Sequence, residues 1–288
     1  MAMKKLTKWI TGISAASAGL FAYSAVKENR SVRITRYKIL SKRLPSAFSG
    51  YKILQISDLH QFRLGKNQEE LLAKIRKTDC DMIVITGDLF DKGKSGENAY
   101  ELLRGLQGGA PVFYSLGNHE SRIHNLHEYL AKAKDLGAVL LDNEGLRIRK
   151  GGQSIVLYGM TDPDFAHAGH KKDRETAGSY LKRIEQYRTF DDYTVVMCHR
   201  PDFIDLHEQA GIDLVLCGHA HGGQYRLPYI GALYAPDQGL FPEYTEGALP
   251  RGRTVEIISR GLGCSHIPFR INVMPELCVI TLEKEESE

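Results

Sequence analysis

Residues 51–60 read YKILQISDLH. The run KILQIS is short and apolar, the pattern of a buried strand, and Asp58 and His60 stand where it stops. Four later segments repeat the arrangement. DMIVITGDLF (81–90) ends at Asp88, and PVFYSLGNHE (111–120) ends at Asn118 and His119. YTVVMCHR (193–200) ends at His199, and DLVLCGHAH (213–221) ends at His219 and His221. Five strands thus each end in a metal-ligating residue type. In an open α/β sheet, ligands bind beyond the carboxyl ends of the strands. The reading gathers one polar cluster from five distant segments at that edge.

The spacing suits the chemistry. Asp58 and His60 are two residues apart, as are His219 and His221, and side chains at i and i+2 of an extended chain point the same way. Gly87, Gly117 and Gly218 precede Asp88, Asn118 and His219, where a tight turn or close backbone approach is needed. The donors are carboxylate, amide and imidazole, without thiolate. That set fits manganese, iron or zinc better than calcium or a closed structural zinc site. Seven donors exceed one tetrahedral shell but serve two metals if one carboxylate bridges.

These blocks resemble the calcineurin-like metallophosphoesterase superfamily, with its D-x-H, G-D, G-N-H-[DE], H and G-H-x-H pattern. All five occur in order between Tyr51 and His221. The resemblance implies a four-layer α/β/β/α sandwich of two mixed sheets. It implies two divalent ions (Mn, Fe or Zn, with Mn favoured), one held by Asp58, His60 and His221 and the other by Asn118, His199 and His219, with Asp88 bridging. It also implies a phosphohydrolase of diesters or monoesters, acting by direct attack of a hydroxide that bridges the metals. His119 would be the catalytic residue at the leaving-group oxygen, with Asp88 or Glu120 orienting it. Arg200, next to a proposed ligand, is the candidate for substrate binding.

Lys4, Lys5 and Lys8 precede an uncharged run from Trp9 to Val26. At about 1.5 Å per residue it is only just long enough to cross a bilayer as a helix. Residues 1–27 read as a signal anchor or signal peptide, and the basic flank keeps that end in the cytoplasm. The expectation is a cell-membrane protein with an extracytoplasmic catalytic domain. The alternative is a secreted or cell-wall-associated protein after cleavage. Residues 28–50 read as linker and edge strand, 51–283 as the catalytic domain and 284–288 as a charged tail. LPSAFSGYKILQISDLH, SRGLGCSHIPFR and this anchor-like start resemble a branch of small bacterial membrane-associated phosphoesterases of the YkuE and YaeI type.

Between the motifs, amphipathic segments at Asn67–Arg76, Glu97–Leu106 and Asn125–Ala133 alternate with strands, the βαβ signature. Leu146–Tyr158 reads as a hairpin and Arg174–Tyr187 as a polar helix. Thr254–Ser259 and Leu277–Leu282 read as closing strands. Gly222–Tyr244 places aromatics among Pro and Gly, either a surface offered to substrate or bilayer or a loop packed on its own domain. The 288 residues carry a net charge of only +3, so nothing suggests a nucleic-acid partner. Five irregularly spaced cysteines do not form a disulfide framework. The partners expected are a phosphoester small molecule or lipid and, through the N-terminus, the membrane, with no obligate protein partner. Two alternatives stand beside the phosphoesterase: a pyrophosphatase of the UDP-2,3-diacylglucosamine type, and a non-catalytic, metal-stabilised binding module.

Overall fold

The computed structural model describes residues 28–167, 169–264 and 269–286. The expected anchor, residues 1–27, lies outside them. Among the described residues no helix is long and apolar enough to cross a membrane.

The first half alternates strand and helix as the periodicity predicts: β1 (Arg33–Ser41), β2 (Lys52–Ile56), α1 (Glu69–Arg76), β3 (Met82–Thr86), α2 (Glu97–Leu106), β4 (Val112–Ser115), α3 (Leu126–Asp135) and β5 (Ala138–Leu140). The hairpin β6 (Glu144–Lys150) and β7 (Gln153–Met160) follows, turning at Gly151 and Gly152, both at positive φ. Next come α4 (Asp173–Lys182), β8 (Thr194–Cys198), α5 (Ile204–Gln209) and β9 (Leu214–Cys217). Four two-residue strands, β10 (Arg226–Leu227), β11 (Gly231–Ala232), β12 (Tyr234–Ala235) and β13 (Gly239–Leu240), fold the aromatic segment into two small hairpins. β14 (Gly247–Arg251), β15 (Thr254–Ile258) and β16 (Glu276–Lys284) close the chain. The polar helix read at Arg174–Tyr187 is α4 with a 3₁₀ turn, Arg183–Gln186, behind it.

Two mixed six-stranded sheets result, in the orders β1-β16-β2-β3-β4-β5 and β14-β15-β9-β8-β7-β6. Side-chain alternation then sets the layers. Ile53, Met82, Val84 and Phe113 of the first sheet meet Leu157, Val195, Met197 and Leu216 of the second in one buried core. Their sequence neighbours face outward. Leu54, Ile83 and Ile85 pack under Leu71, Ile75 and Leu102 of α1 and α2. Tyr158, Val196 and Val215 pack under Ala177 and Leu181 of α4. The architecture is the expected α/β/β/α sandwich.

One reading is corrected here. Residues 28–50 hold the edge strand read there, but the rest of the segment is not a linker. β1 pairs in parallel with β16 along its whole length, Arg33 opposite Glu276 to Ser41 opposite Lys284. Leu44 and Phe48 are fully buried in the core between the sheets. The segment is an integral edge of the domain.

Candidate metal centre

The ligand candidates follow the strands as the sequence implies. Asp58 lies two residues beyond β2, Asp88 two beyond β3, His199 one beyond β8 and His219 two beyond β9. β2, β3 and β4 run parallel to one another, as do β8 and β9, so each sheet delivers its carboxyl ends together. Asp58, His60, Asp88, His219 and His221 all hold left-handed backbone, with φ between 47° and 67°. Non-glycine residues pay for that conformation in energy and hold it where the surroundings over-determine them, commonly at functional sites.

The three motif glycines are required by crowding. A Cβ on Gly87 would strike the His199 ring, one on Gly117 the Asp88 carboxylate, and one on Gly218 both Ser57 Oγ and the Asp58 carboxylate. Glycine here lets backbone pass against side chains whose positions are set by the cluster.

All eight candidates come together. Ligand-type atoms of Asp58, His60 and His221 lie within 4.8 Å of one another, and so do those of Asp88, His199 and His219. Asp88 Oδ2 sits between the groups, 3.6 Å from His60 Nε2 and 3.2 Å from His199 Nε2. The rings are oriented from behind. His199 Nδ1 lies 2.8 Å from the Thr86 carbonyl and His221 Nδ1 3.2 Å from the Gly263 carbonyl. His60 Nδ1 lies 2.9 Å from Asp91 Oδ1, and His219 Nε2 2.9 Å from Asp237 Oδ2. Such partners fix the tautomer and turn the other nitrogen towards a metal.

Three observations test whether the cluster fits cations. His60 Nε2 is buried without a hydrogen-bond partner, although Asp58 and Asp88 oxygens stand 3.9 and 3.6 Å away. The Asn118 amide presents its oxygen to Asp88 Oδ2 at 3.3 Å and to His199 Nε2 at 3.2 Å. Turning the amide over would make hydrogen bonds of these contacts and of the 2.7 Å approach to Arg122 Nη2, whereas the oxygen as it stands would serve a cation shared with Asp88 and His199. The charges agree. Burial pushes Asp88 up, yet His199 and His119 outweigh it and hold its carboxyl well below the usual range. Burial lowers His199, but Asp88 and Asp58 raise it well above an ordinary histidine, so the carboxylates draw positive charge into the site. His221 is held well below the ordinary range by burial, with Arg270, His60 and His219 beside it, and the neutral ring is the ligand form. The residues fit a pair of divalent ions.

His119 adjoins the ligand candidates, its ligand-type atom lying within 4.8 Å of those of His60 and Asp88. It is only partly buried, its Nδ1 lies 2.7 Å from Asp91 Oδ1, and its Nε2 is 3.9 Å from Asp88 Oδ2. It borders a cavity of about 90 Å³ that Asp88, Asn118, His219 and His221 line from one side and Tyr234, Pro236 and Asp237 from the other.

Two expectations change. Arg200 is not available to substrate. Its side chain is 2% exposed and is surrounded by Asp162, Asp164, Asp173 and Asp237, with bonds of 2.8 Å, 2.6 Å and 3.0 Å to the first three. Adjacency to His199 misled, because neighbouring residues on extended chain point opposite ways. Arg122 is the cationic side chain that lines the cavity. Glu120 does not orient His119. It is buried and accepts from the backbone N–H groups of Asp88, Phe90 and Gly117 and from the Tyr114 hydroxyl, so it ties two ligand loops together. Sequence reading missed Asp91 and Asp237. Asp91 could have been suspected from GDLFD, where it follows Asp88 by three residues; Asp237, inside the aromatic segment, carries no local signal.

The chain is similar to known proteins. The chain is 27% identical to the uncharacterized metallophosphoesterase YkuE of Bacillus subtilis, covering 98% of each chain. It is 29% identical to phosphodiesterase YaeI of Escherichia coli, covering 81% of this chain and 82% of that one. Among solved structures, a phosphopantetheinyl hydrolase from Mycobacterium tuberculosis aligns over 73% of this chain and 89% of its own, with a TM-score of 0.46 and 14% identity. The profile of the calcineurin-like phosphoesterases matches residues 51–223, from the start of β2 through the last histidine motif. With that stretch containing every ligand candidate, the chain belongs to the calcineurin-like phosphoesterase family of metal-dependent hydrolases.

Proposed function

We propose that the protein hydrolyses phosphodiesters or phosphomonoesters with two divalent ions. Asp58, His60 and His221 would hold one, Asn118, His199 and His219 the other, and Asp88 both. Bound ions there would acidify a water and neutralise charge on the phosphate oxygens. The chain's own part is positional. Asp91, Thr86, Gly263 and Asp237 orient the imidazoles, and the buried loops exclude bulk water. His119 would hold a proton at the leaving-group oxygen, and Arg122 would meet a phosphate oxygen at the cavity edge. Manganese is the favoured ion, on donor chemistry alone.

The observation that carries this reading is the position of Asp88 Oδ2 between two ligand groups, beside the unpartnered His60 Nε2. A complete donor set favours an enzyme over a binding module on the same fold. We also read residues 9–26 as a membrane anchor that leaves the domain outside the cytoplasm, on the strength of Lys4, Lys5 and Lys8.

The test is a hydrolysis screen of the purified chain with manganese, iron and zinc, paired with metal analysis. The panel spans phosphomonoesters, diesters, nucleotide-sugar pyrophosphates and lipid phosphates. Metal uptake with diester or monoester turnover supports the reading. Metal uptake with no turnover on any class would favour the binding module.

A further inference from the structure

The apolar surface of this protein is unevenly placed. Of the exposed large hydrophobic side chains among the described residues, all but Leu40, Val139 and Phe190 lie on residues 227–241 or at Phe269. Tyr229 is fully exposed, and Ile230, Leu240 and Phe241 are 58%, 73% and 68% exposed. Exposed apolar side chains concentrated in this way on one segment mark an interaction site in a folded protein. The segment is built and held. Tyr225 bridges to Ile271, Leu233 N–H donates to Tyr225 O at 2.8 Å, and Phe241 N–H donates to Leu233 O at 3.0 Å. Gln238 ties both backbone groups of Tyr244, and the Tyr225 and Phe269 rings meet at 5.8 Å.

The path of the chain identifies what covers this face. Asn29 is clamped to the backbone of Arg270 by two hydrogen bonds of 2.9 Å, one residue from Phe269. The apolar run Trp9–Val26 therefore ends within chain reach of the patch: two residues separate Val26 from Asn29, a span of at most roughly 10 Å. A bilayer that takes up residues 9–26 would stand against Phe269, Tyr229 and Phe241. Acidic Asp237, Glu243 and Glu246 lie on the same stretch, so the contact would be apolar rather than a basic surface on anionic lipid. Exposed tyrosines among aliphatic residues suit the headgroup boundary.

We infer that the face formed by Leu227, Tyr229, Ile230, Leu240, Phe241 and Phe269 is a docking surface for the lipid bilayer. It seats in the interface beside the anchor. The mouth of the catalytic cavity, bordered by Tyr234 and Pro236 of the same segment, then opens at the membrane surface.

Trp9 is the chain's one tryptophan, which makes a direct test possible in the full-length protein. Trp9→Phe chains carrying Phe241→Trp, Tyr229→Trp or, as a control at the other end of the strands, Phe190→Trp are reconstituted into phosphatidylcholine vesicles. Emission is compared with and without bromine on the lipid acyl chains. The Phe241→Trp and Tyr229→Trp proteins should shift to the blue on reconstitution and lose emission severalfold with brominated lipid, while the Phe190→Trp protein should not. Solvent-like, unquenched emission from both patch positions would overturn the inference. So would equal quenching at position 190, or a blue shift already complete without lipid, which would mean that the protein's own N-terminal segment or a second copy covers the face.

Discussion

Asp91 Oδ1 lies 2.7 Å from Nδ1 of His119, and the same oxygen lies 2.9 Å from Nδ1 of His60. One carboxylate thus orients both a proposed ligand and the proposed proton donor. Burial raises Asp91, but its hydrogen bonds to these two rings hold it well below the usual carboxylate range, so it stays charged. Asp91→Ala should therefore weaken metal uptake and turnover together, by about 10–100-fold, as loss of an outer-shell partner does. Asp91→Asn should recover part of the loss, since an amide oxygen can still accept from one ring. Metal titration and kcat on an aryl phosphodiester measure both. Unchanged metal affinity with unchanged kcat would remove Asp91 from the site.

His119→Ala should separate binding from chemistry. Both metals should remain, and the rate should fall about 10²–10⁴-fold for poor leaving groups, less for nitrophenol. Burial lowers the His119 pKa, but Asp88 and Asp91 outweigh it and raise it. The protonated ring therefore persists to higher pH than an ordinary histidine would allow. Turnover of poor leaving groups should decline only as pH rises through that raised value, and the alkaline limb should disappear in His119→Ala. Loss of a metal instead would give His119 a ligand role.

Gly218→Ala tests the crowding that positions the ligands. The added methyl would press on Ser57 and Asp58, whose side chains are linked at 2.6 Å, and Asp58 in turn accepts the His219 N–H at 3.1 Å. Overpacking at such a position costs about 1–3 kcal/mol. A lowered melting temperature and reduced metal content are expected, and a variant matching the parent in both would show that the loops have room.

The candidate cluster was legible because it is local. Each candidate directly follows a strand whose apolar run is visible in the sequence, and the parallel sheets bring those ends together without further information. What escaped depends on packing between distant segments. Asp237 reaches His219 from within two small hairpins that no periodicity marks. Glu120 follows a motif histidine and reads as a partner that orients it, yet the fold buries it under three backbone N–H groups. Arg200 reads as a neighbour of a ligand but turns away into four carboxylates. Residues 32–40 alternate like an edge strand, and nothing near them announces β16 as their partner.

Topology can be tested in cells. Lys4, Lys5 and Lys8 should stay inside, so protease added to intact spheroplasts should digest the domain of the full-length protein in the membrane fraction. Protection until lysis would reverse the orientation and place the catalytic cavity on the cytoplasmic side.

The central claim is that Asp88 serves two metals at once, and the most direct measurement is metal content and turnover of Asp88→Asn beside the parent chain. The parent should bind two divalent ions and hydrolyse an aryl phosphodiester. The variant should lose turnover and most of both ions, because neutralising Asp88 weakens both ligand groups. An Asp88→Asn protein that keeps two ions and near-parental turnover would contradict the account.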